Sequence, residues 1–216
     1  MRGKYLVGLT CVVVVIVVSL IITFRRPLSA EVIAKQSLSA IEKRDGHRLF
    51  RLIHESEINQ LDLTPEKINQ LLNKVILPEG ENYESRSEAV IEGDSSSSFV
   101  VGRQLYVNKD GRQLTISVRV FPTEGDAKCS PLVNALVFSK VDELMDRRNP
   151  PKPGLETVRH WRDSIKFLKP QFEAIGLTGF VQDGVRGRKF TWDSWIAHCD
   201  DLLARAKTEP TVADGE

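Results

Sequence analysis

The chain of 216 residues carries 30 Lys and Arg against 29 Asp and Glu, a formal net charge of +1, with 41% hydrophobic residues and three cysteines. That balance excludes a strongly basic nucleic-acid binder, a highly charged disordered chain and a cysteine-stapled mini-domain, so nucleic acid is not an expected partner. The charge is uneven: residues 27–146 hold 14 basic and 19 acidic side chains, 147–189 hold 10 and 4, and 190–216 hold 2 and 6, which sets a basic block between two acidic ones.

Tyr5 to Phe24 is a run of twenty residues without a charge. At about 1.5 Å of rise per residue it makes a helix of roughly 30 Å, the thickness of one bilayer core. A cleavable leader has a shorter apolar core and then a small-x-small site, whereas this run ends in Arg25-Arg26-Pro27 and offers only Leu28-Ser29-Ala30. The expectation is a retained transmembrane anchor with basic flanks over 1–26, hence a single-pass membrane protein. Arg2 and Lys4 nearly balance Arg25 and Arg26, but a basic stub before an apolar core is how export signals begin. That places the soluble part outside the cytoplasm.

An α+β domain is expected over 27–148, with helices packed on a small antiparallel sheet. Ser29 caps a helix over about 30–44, Asp45-Gly46 interrupts it, a second helix runs to about residue 56, and Thr64-Pro65 opens a third that Pro78 closes. From Tyr83 the period changes to two. A strand over about 84–92 precedes a hairpin in which 99–107 and 114–120 are joined by Asn108-Lys109-Asp110-Gly111. Ser130-Pro131 repeats the cap-and-proline signal, and Val133, Val137, Val141 and Leu144 follow at helical spacing, which favours a helix over the strand reading of 132–138.

Residues 149–154 form a Pro-rich connector to a C-terminal helical extension over 155–206. The extension is read as a helix over 155–168, a shorter one ending near Gly176, a hairpin around Asp183-Gly184, and a last helix starting at Thr191. Phe190 and Trp195 stand at the positions of a hydrophobic staple on that last helix. Residues 207–216 are expected to be a disordered tail. Cys129 and Cys199, too few for a disulfide framework, are expected as two buried thiols, with a single bridge between them as the alternative.

Helix, Asp45-Gly46, a second helix with Leu49-Phe50-x-Leu52, a third helix and then antiparallel strands resembles the opening of the cone-shaped fold of nuclear-transport-factor-like and ketosteroid-isomerase-like proteins. The resemblance covers roughly residues 30–121. It implies a helix-lined cone, in whose interior catalytic members place Asp, Tyr or His, and a layout that some membrane-anchored members use as scaffolds.

The sequence offers no catalytic, cofactor or metal site. His47, His54, His160 and His198 lack partners at ligand spacing, and Cys199 beside His198 points about 100° away from it on a helix. Arg147-x-x-Pro150-x-x-Pro153 reads as a linker before it reads as a ligand for aromatic grooves. On the helix over 155–168, Arg159, Arg162, Lys166 and Lys169 fall within an arc of about 80°, flanking the apolar stripe. They are either a solvated face paired with Glu156 and Asp163 or a contact for an anionic surface such as lipid headgroups. The function expected is a membrane-tethered interaction or scaffold domain with a protein partner. The alternative is a small-molecule pocket in the cone lined by Tyr83, Tyr106, His47 and His54.

Overall fold

The computed structural model describes residues 28–93, 99–121, 127–145, 154–182 and 187–208. The anchor expected over 1–26, connector residues 149–153, the turn at Asp183-Gly184 and tail residues 209–216 lie outside them. Among the described residues no helix is long and apolar enough to cross a membrane, so the transmembrane element of the expected fold is without support there. The α+β element stands: helices pack on a curled antiparallel sheet.

Helix α1 spans Ala30–Glu42, its first turn closed by the Val32 N–H donating to Ser29 Oγ at 3.4 Å. It lays Ile33, Ala34, Leu38 and Ile41 on the sheet. Helix α2, Gly46–Phe50, starts on Asp45, and at Gly46 a Cβ would stand 2.4 Å from the Asn69 backbone nitrogen, so only glycine allows that approach. The second expected helix does not reach residue 56. The chain leaves it after Phe50, Ile53 bridges to Cys129, and a separate helix α3 spans Glu55–Leu61 with His54 as its cap. Its buried positions are Glu57 and Leu61, and a glutamate at a core position hides the period. Helix α4, Pro65–Gln70, carries the expected Thr64 cap and runs on into a π-helical turn over Leu71–Ile76.

The sheet has β1 (Glu84–Ser85), β2 (Val90–Glu92), β3 (Val100–Val107), β4 (Gln113–Phe121) and β5 (Lys128–Cys129). The strand expected over 84–92 is two pieces, both paired with β3, and β5 lies against the far end of β4. The hairpin register runs from Val100↔Val120 to Val107↔Gln113. Its inner face carries Val100, Gly102, Gln104 and Tyr106 opposite Val120, Val118, Ile116 and Leu114, all buried, with α1 and the helix over Leu132–Glu143 packed on these strands.

Helix α5 spans Leu132–Glu143, as the helix reading of 132–138 requires. Its cap is not Ser130. Pro131 holds the cap position without a side-chain bond, and Glu57 of α3 accepts the N–H groups of Leu132 at 2.8 Å and Val133 at 2.7 Å.

Helix α6 runs unbroken over Leu155–Ala174, past Pro170, where two helices were expected. The proline deprives only the Lys166 carbonyl of its partner, and residue 166 is exposed, so water can take that place. The hairpin β6 (Gly179–Val181) and β7 (Lys189–Thr191) leads into α7, Trp192–Thr208, which extends two residues into the expected tail. Thr191 Oγ1 accepts the Ser194 N–H at 3.2 Å, and the Phe190 and Trp195 rings meet at 5.3 Å, as a capped and stapled start requires.

The extension shares the core of the sheet domain. Phe138 of α5 stands edge-on to Trp161 at 5.8 Å, Phe180 at 5.5 Å and Trp195 at 5.6 Å, while Phe172 stacks on Trp192 at 4.6 Å. Cys129 and Cys199 are both buried and free.

Candidate functional site

The four residues expected to line a pocket in the cone each have a separate environment. Tyr106 is buried and donates to Gln104 Oε1 at 3.1 Å, and burial pushes its phenol up from the ordinary tyrosine range. His54 Nδ1 accepts the Ser56 N–H at 3.1 Å as a helix cap, and His47 is exposed on α2. Tyr83 lies in a cluster with Glu81, Glu143 and Lys140. Its hydroxyl has one proton to share between two acceptors, Glu81 Oε2 at 2.7 Å and Glu143 Oε1, and Lys140 Nζ, 2.7 Å from Glu143 Oε2, donates to that same hydroxyl at 3.1 Å. Burial first, then the two carboxylates, push the Tyr83 phenol far up, so it stays a neutral donor. Above this cluster lies a cleft of about 740 Å³, bordered also by Lys74, Arg112 and Phe167, the last 65% exposed.

A second cleft, of about 450 Å³, opens on the other side of α5. One wall is Thr115, Ser117 and Arg119 of β4, and the opposite wall is Asn134, Ala135, Phe138 and Asp142 of α5. Trp161, Phe180 and Trp195 from the extension close it. The walls follow from the two periods: every second residue of a strand and every fourth of a helix share a side. It has an aromatic floor and a rim of hydroxyl, amide and charged groups. The buried Trp195 Nε1–H has no acceptor among the described residues.

Three of the four members of the basic stripe approach acids of α7. Arg162 pairs with Asp163 at 2.8 Å and with Asp200 at 2.9 Å, Lys166 approaches Asp200 at 3.8 Å, and Lys169 meets Asp193 at 2.5 Å and Glu173 at 3.6 Å. Arg159 and Lys166 are exposed. The acids of α7 were out of reach of a reading by helical spacing, because they lie 24 and 38 residues away along the chain.

Glu57 went unmarked in the sequence. It is fully buried, and burial outweighs its two backbone bonds and raises its carboxyl to about 7. Nearby, burial pushes the Cys129 thiol up to about 12, and its Sγ lies 2.9 Å from Ser37 Oγ. That holds Cys129 as an inert core thiol. The one signal for Glu57 was negative: α5 begins without an acidic residue in its first turn, so its amides needed an acceptor from elsewhere.

Comparison of the chain with protein-family models, with curated proteins and with solved structures gives no match.

Proposed function

We propose that this protein is a membrane-tethered interaction module, in which the apolar run from Tyr5 to Phe24 holds the α+β domain beside a bilayer, outside the cytoplasm. The observation that carries the reading is the cleft between β4, α5 and the extension. Aromatic side chains on its floor supply contact area at low entropic cost, and the polar rim supplies direction, the division of labour found in recognition surfaces. The cone-fold resemblance is consistent with α1 lying across the inner sheet face. It stays a proposal, as does contact of the two exposed cations, Arg159 and Lys166, with anionic headgroups.

The test places a photo-cross-linking residue at Asn134, on the cleft wall, in the full-length protein in its own membranes. A discrete adduct at position 134 that is absent from position 201, on an exposed part of α7, is expected, with the protein retained in the pellet after alkaline carbonate extraction. Release by carbonate removes the tether, and equal labelling at both positions removes the module.

The cleft bordered by Lys74, Arg112 and Phe167 favours a second reading, a small-molecule site. Lys74 and Arg112 at its border suit a ligand with an anionic group and Phe167 an apolar one, while Lys140 is already paired with Glu143 and Glu81. Loss of ligand-induced thermal shift in Arg112→Gln would distinguish this reading from the first.

A further inference from the structure

The second cleft runs beside an open strand edge. Strand β4 is bonded to β3 along its length, but on its other side β5 reaches only Val120 and Phe121, and the Ser130 N–H donates to the Arg119 carbonyl at 3.2 Å. The Arg119 carbonyl therefore points away from β3. Because backbone groups alternate sides along a strand, the N–H and C=O of Ser117 and Thr115 point the same way. The far edge of β3 gives an independent check. Leu105, the register partner of Thr115, offers its carbonyl outward to the Arg86 N–H at 3.0 Å, as a pair not bonded to each other must. Among the described residues no backbone group closes the edge at Thr115 and Ser117.

We propose that this edge, with the aromatic cleft beside it, binds an extended peptide segment of another protein, which adds to β4 as a strand and seats an apolar side chain against Phe138, Trp161 and Trp195. The proposal rests on the interaction-module reading and names its surface and its kind of partner.

An open row of strand N–H and C=O groups is complementary to one class of occupant, an extended backbone. The dimensions agree. Because Ser130 takes the Arg119 carbonyl, the open edge from Thr115 to Val118 spans about 10 Å at strand rise, and Asn134 to Asp142 on the facing helix spans about 12 Å, so both walls serve a segment of about three or four residues. The charges give it polarity. Because β4 and α5 run in opposite directions through the short β5, Arg119 lies at the end where α5 begins, and Asp142 lies toward the Thr115 end. An acidic residue is favoured at the Arg119 end, a basic one at the Asp142 end, and an aromatic or branched aliphatic residue between them.

The test uses the full-length protein in nanodiscs and a display library of random eight-residue peptides, with empty nanodiscs as the control. Enriched peptides are expected to follow the acidic, apolar, basic order. A synthetic peptide of the enriched sequence should lose at least about tenfold in affinity when alternate backbone nitrogens are methylated, since each lost edge bond removes part of the recognition. Ser117→Pro removes an N–H that faces the edge and leaves every β3–β4 bond in place, so a Ser117→Pro protein with an unchanged melting temperature should show the same loss. Arg119→Glu should invert the preference at its end of the peptide, which covers the case in which the proline variant fails to fold.

No enrichment over empty nanodiscs, or affinity indifferent to both backbone methylation and Arg119→Glu, overturns the proposal. So does an edge that pairs only with a second copy of this chain, seen as a dimer that Ser117→Pro dissociates and that no peptide displaces. If the adduct at position 134 persists in Ser117→Pro, the interaction module survives and the strand-addition mode falls.

Discussion

Glu57 gives the sharpest test of how this fold is held. Its carboxyl is fully buried between α3 and the first turn of α5, and two opposing effects act on it. Burial in a low-dielectric interior disfavours the charged form, while two backbone N–H donors at a helix N-terminus favour it. Burial prevails, and the folded carboxyl titrates at about 7 against an ordinary 4.5. A carboxyl raised on folding binds its proton more tightly in the native state, so its stabilising contribution is complete below the unfolded value and is lost as pH rises through the folded one. Over that window the group removes about 3 kcal/mol, at about 1.4 kcal/mol for each tenfold change in proton affinity. Glu57→Gln cannot titrate. It also turns an amide N–H toward a backbone N–H and costs about 1 to 3 kcal/mol at every pH. Urea unfolding of fragment 27–216 and its Glu57→Gln variant, from about pH 4 to about pH 8, isolates the group, because the other carboxylates and the histidines cancel in the difference. The stability advantage of the parent is expected to shrink by about 3 kcal/mol as pH rises from about 4.5 to about 7 and then to level off. An advantage that grows across that range would mean that the two amides and the helix end outweigh burial, and would refute desolvation as the dominant cause.

Trp195→Ala removes a ring that touches Phe138, Phe180 and Phe190, and it should cost about 3 to 5 kcal/mol in chemical unfolding; an unchanged midpoint would mean the extension is not docked. Gly46→Ala puts a Cβ against the Asn69 backbone and should lower stability by about 1 to 3 kcal/mol, whereas Gly80→Ala, which meets nothing, should stay within about 0.5 kcal/mol. The fragment 27–216 should sediment with anionic but not neutral vesicles at low salt, through Arg159 and Lys166 at about 1 kcal/mol each. Retention of that binding in Arg159→Gln/Lys166→Gln would exclude these two cations as the contact.

What the sequence made legible was local. Ser29, Thr64 and Thr191 cap helices because a short side-chain oxygen and the N–H it accepts lie within one turn of each other. The β3–β4 hairpin was legible because alternation survives wherever one face is buried and the other is not. What stayed hidden was settled between distant segments. Glu57 reads as a surface glutamate of a short helix until α5, 75 residues on, brings its unpaired amides to it. The two-residue β5 is too short to show a period, and the acids that hold Arg162 and Lys169 belong to another helix. The second cleft was invisible for the same reason, since its walls come from β4, α5 and the extension.

Helix α5 links these observations. Helix α5 is buried nearly all round although Asn134, Ser139, Lys140, Asp142 and Glu143 are polar, and it lays Leu132, Val133, Leu136, Val137 and Val141 in the core of the sheet domain. Its outer stripe, centred on Phe138, needs cover as well, and Trp161, Phe180 and Trp195 provide it. The extension is therefore held by the helix that β5 delivers to the edge of β4. Cover is incomplete between Asn134 and Asp142, where Thr115, Ser117 and Arg119 form the facing wall, and the incompleteness is the cleft. Truncating Trp195 would damage support and cleft together and could not tell one role from the other. A change confined to the strand edge, as in Ser117→Pro, touches neither the aromatic cluster nor the β3–β4 bonds, so it separates recognition from the packing that makes recognition possible.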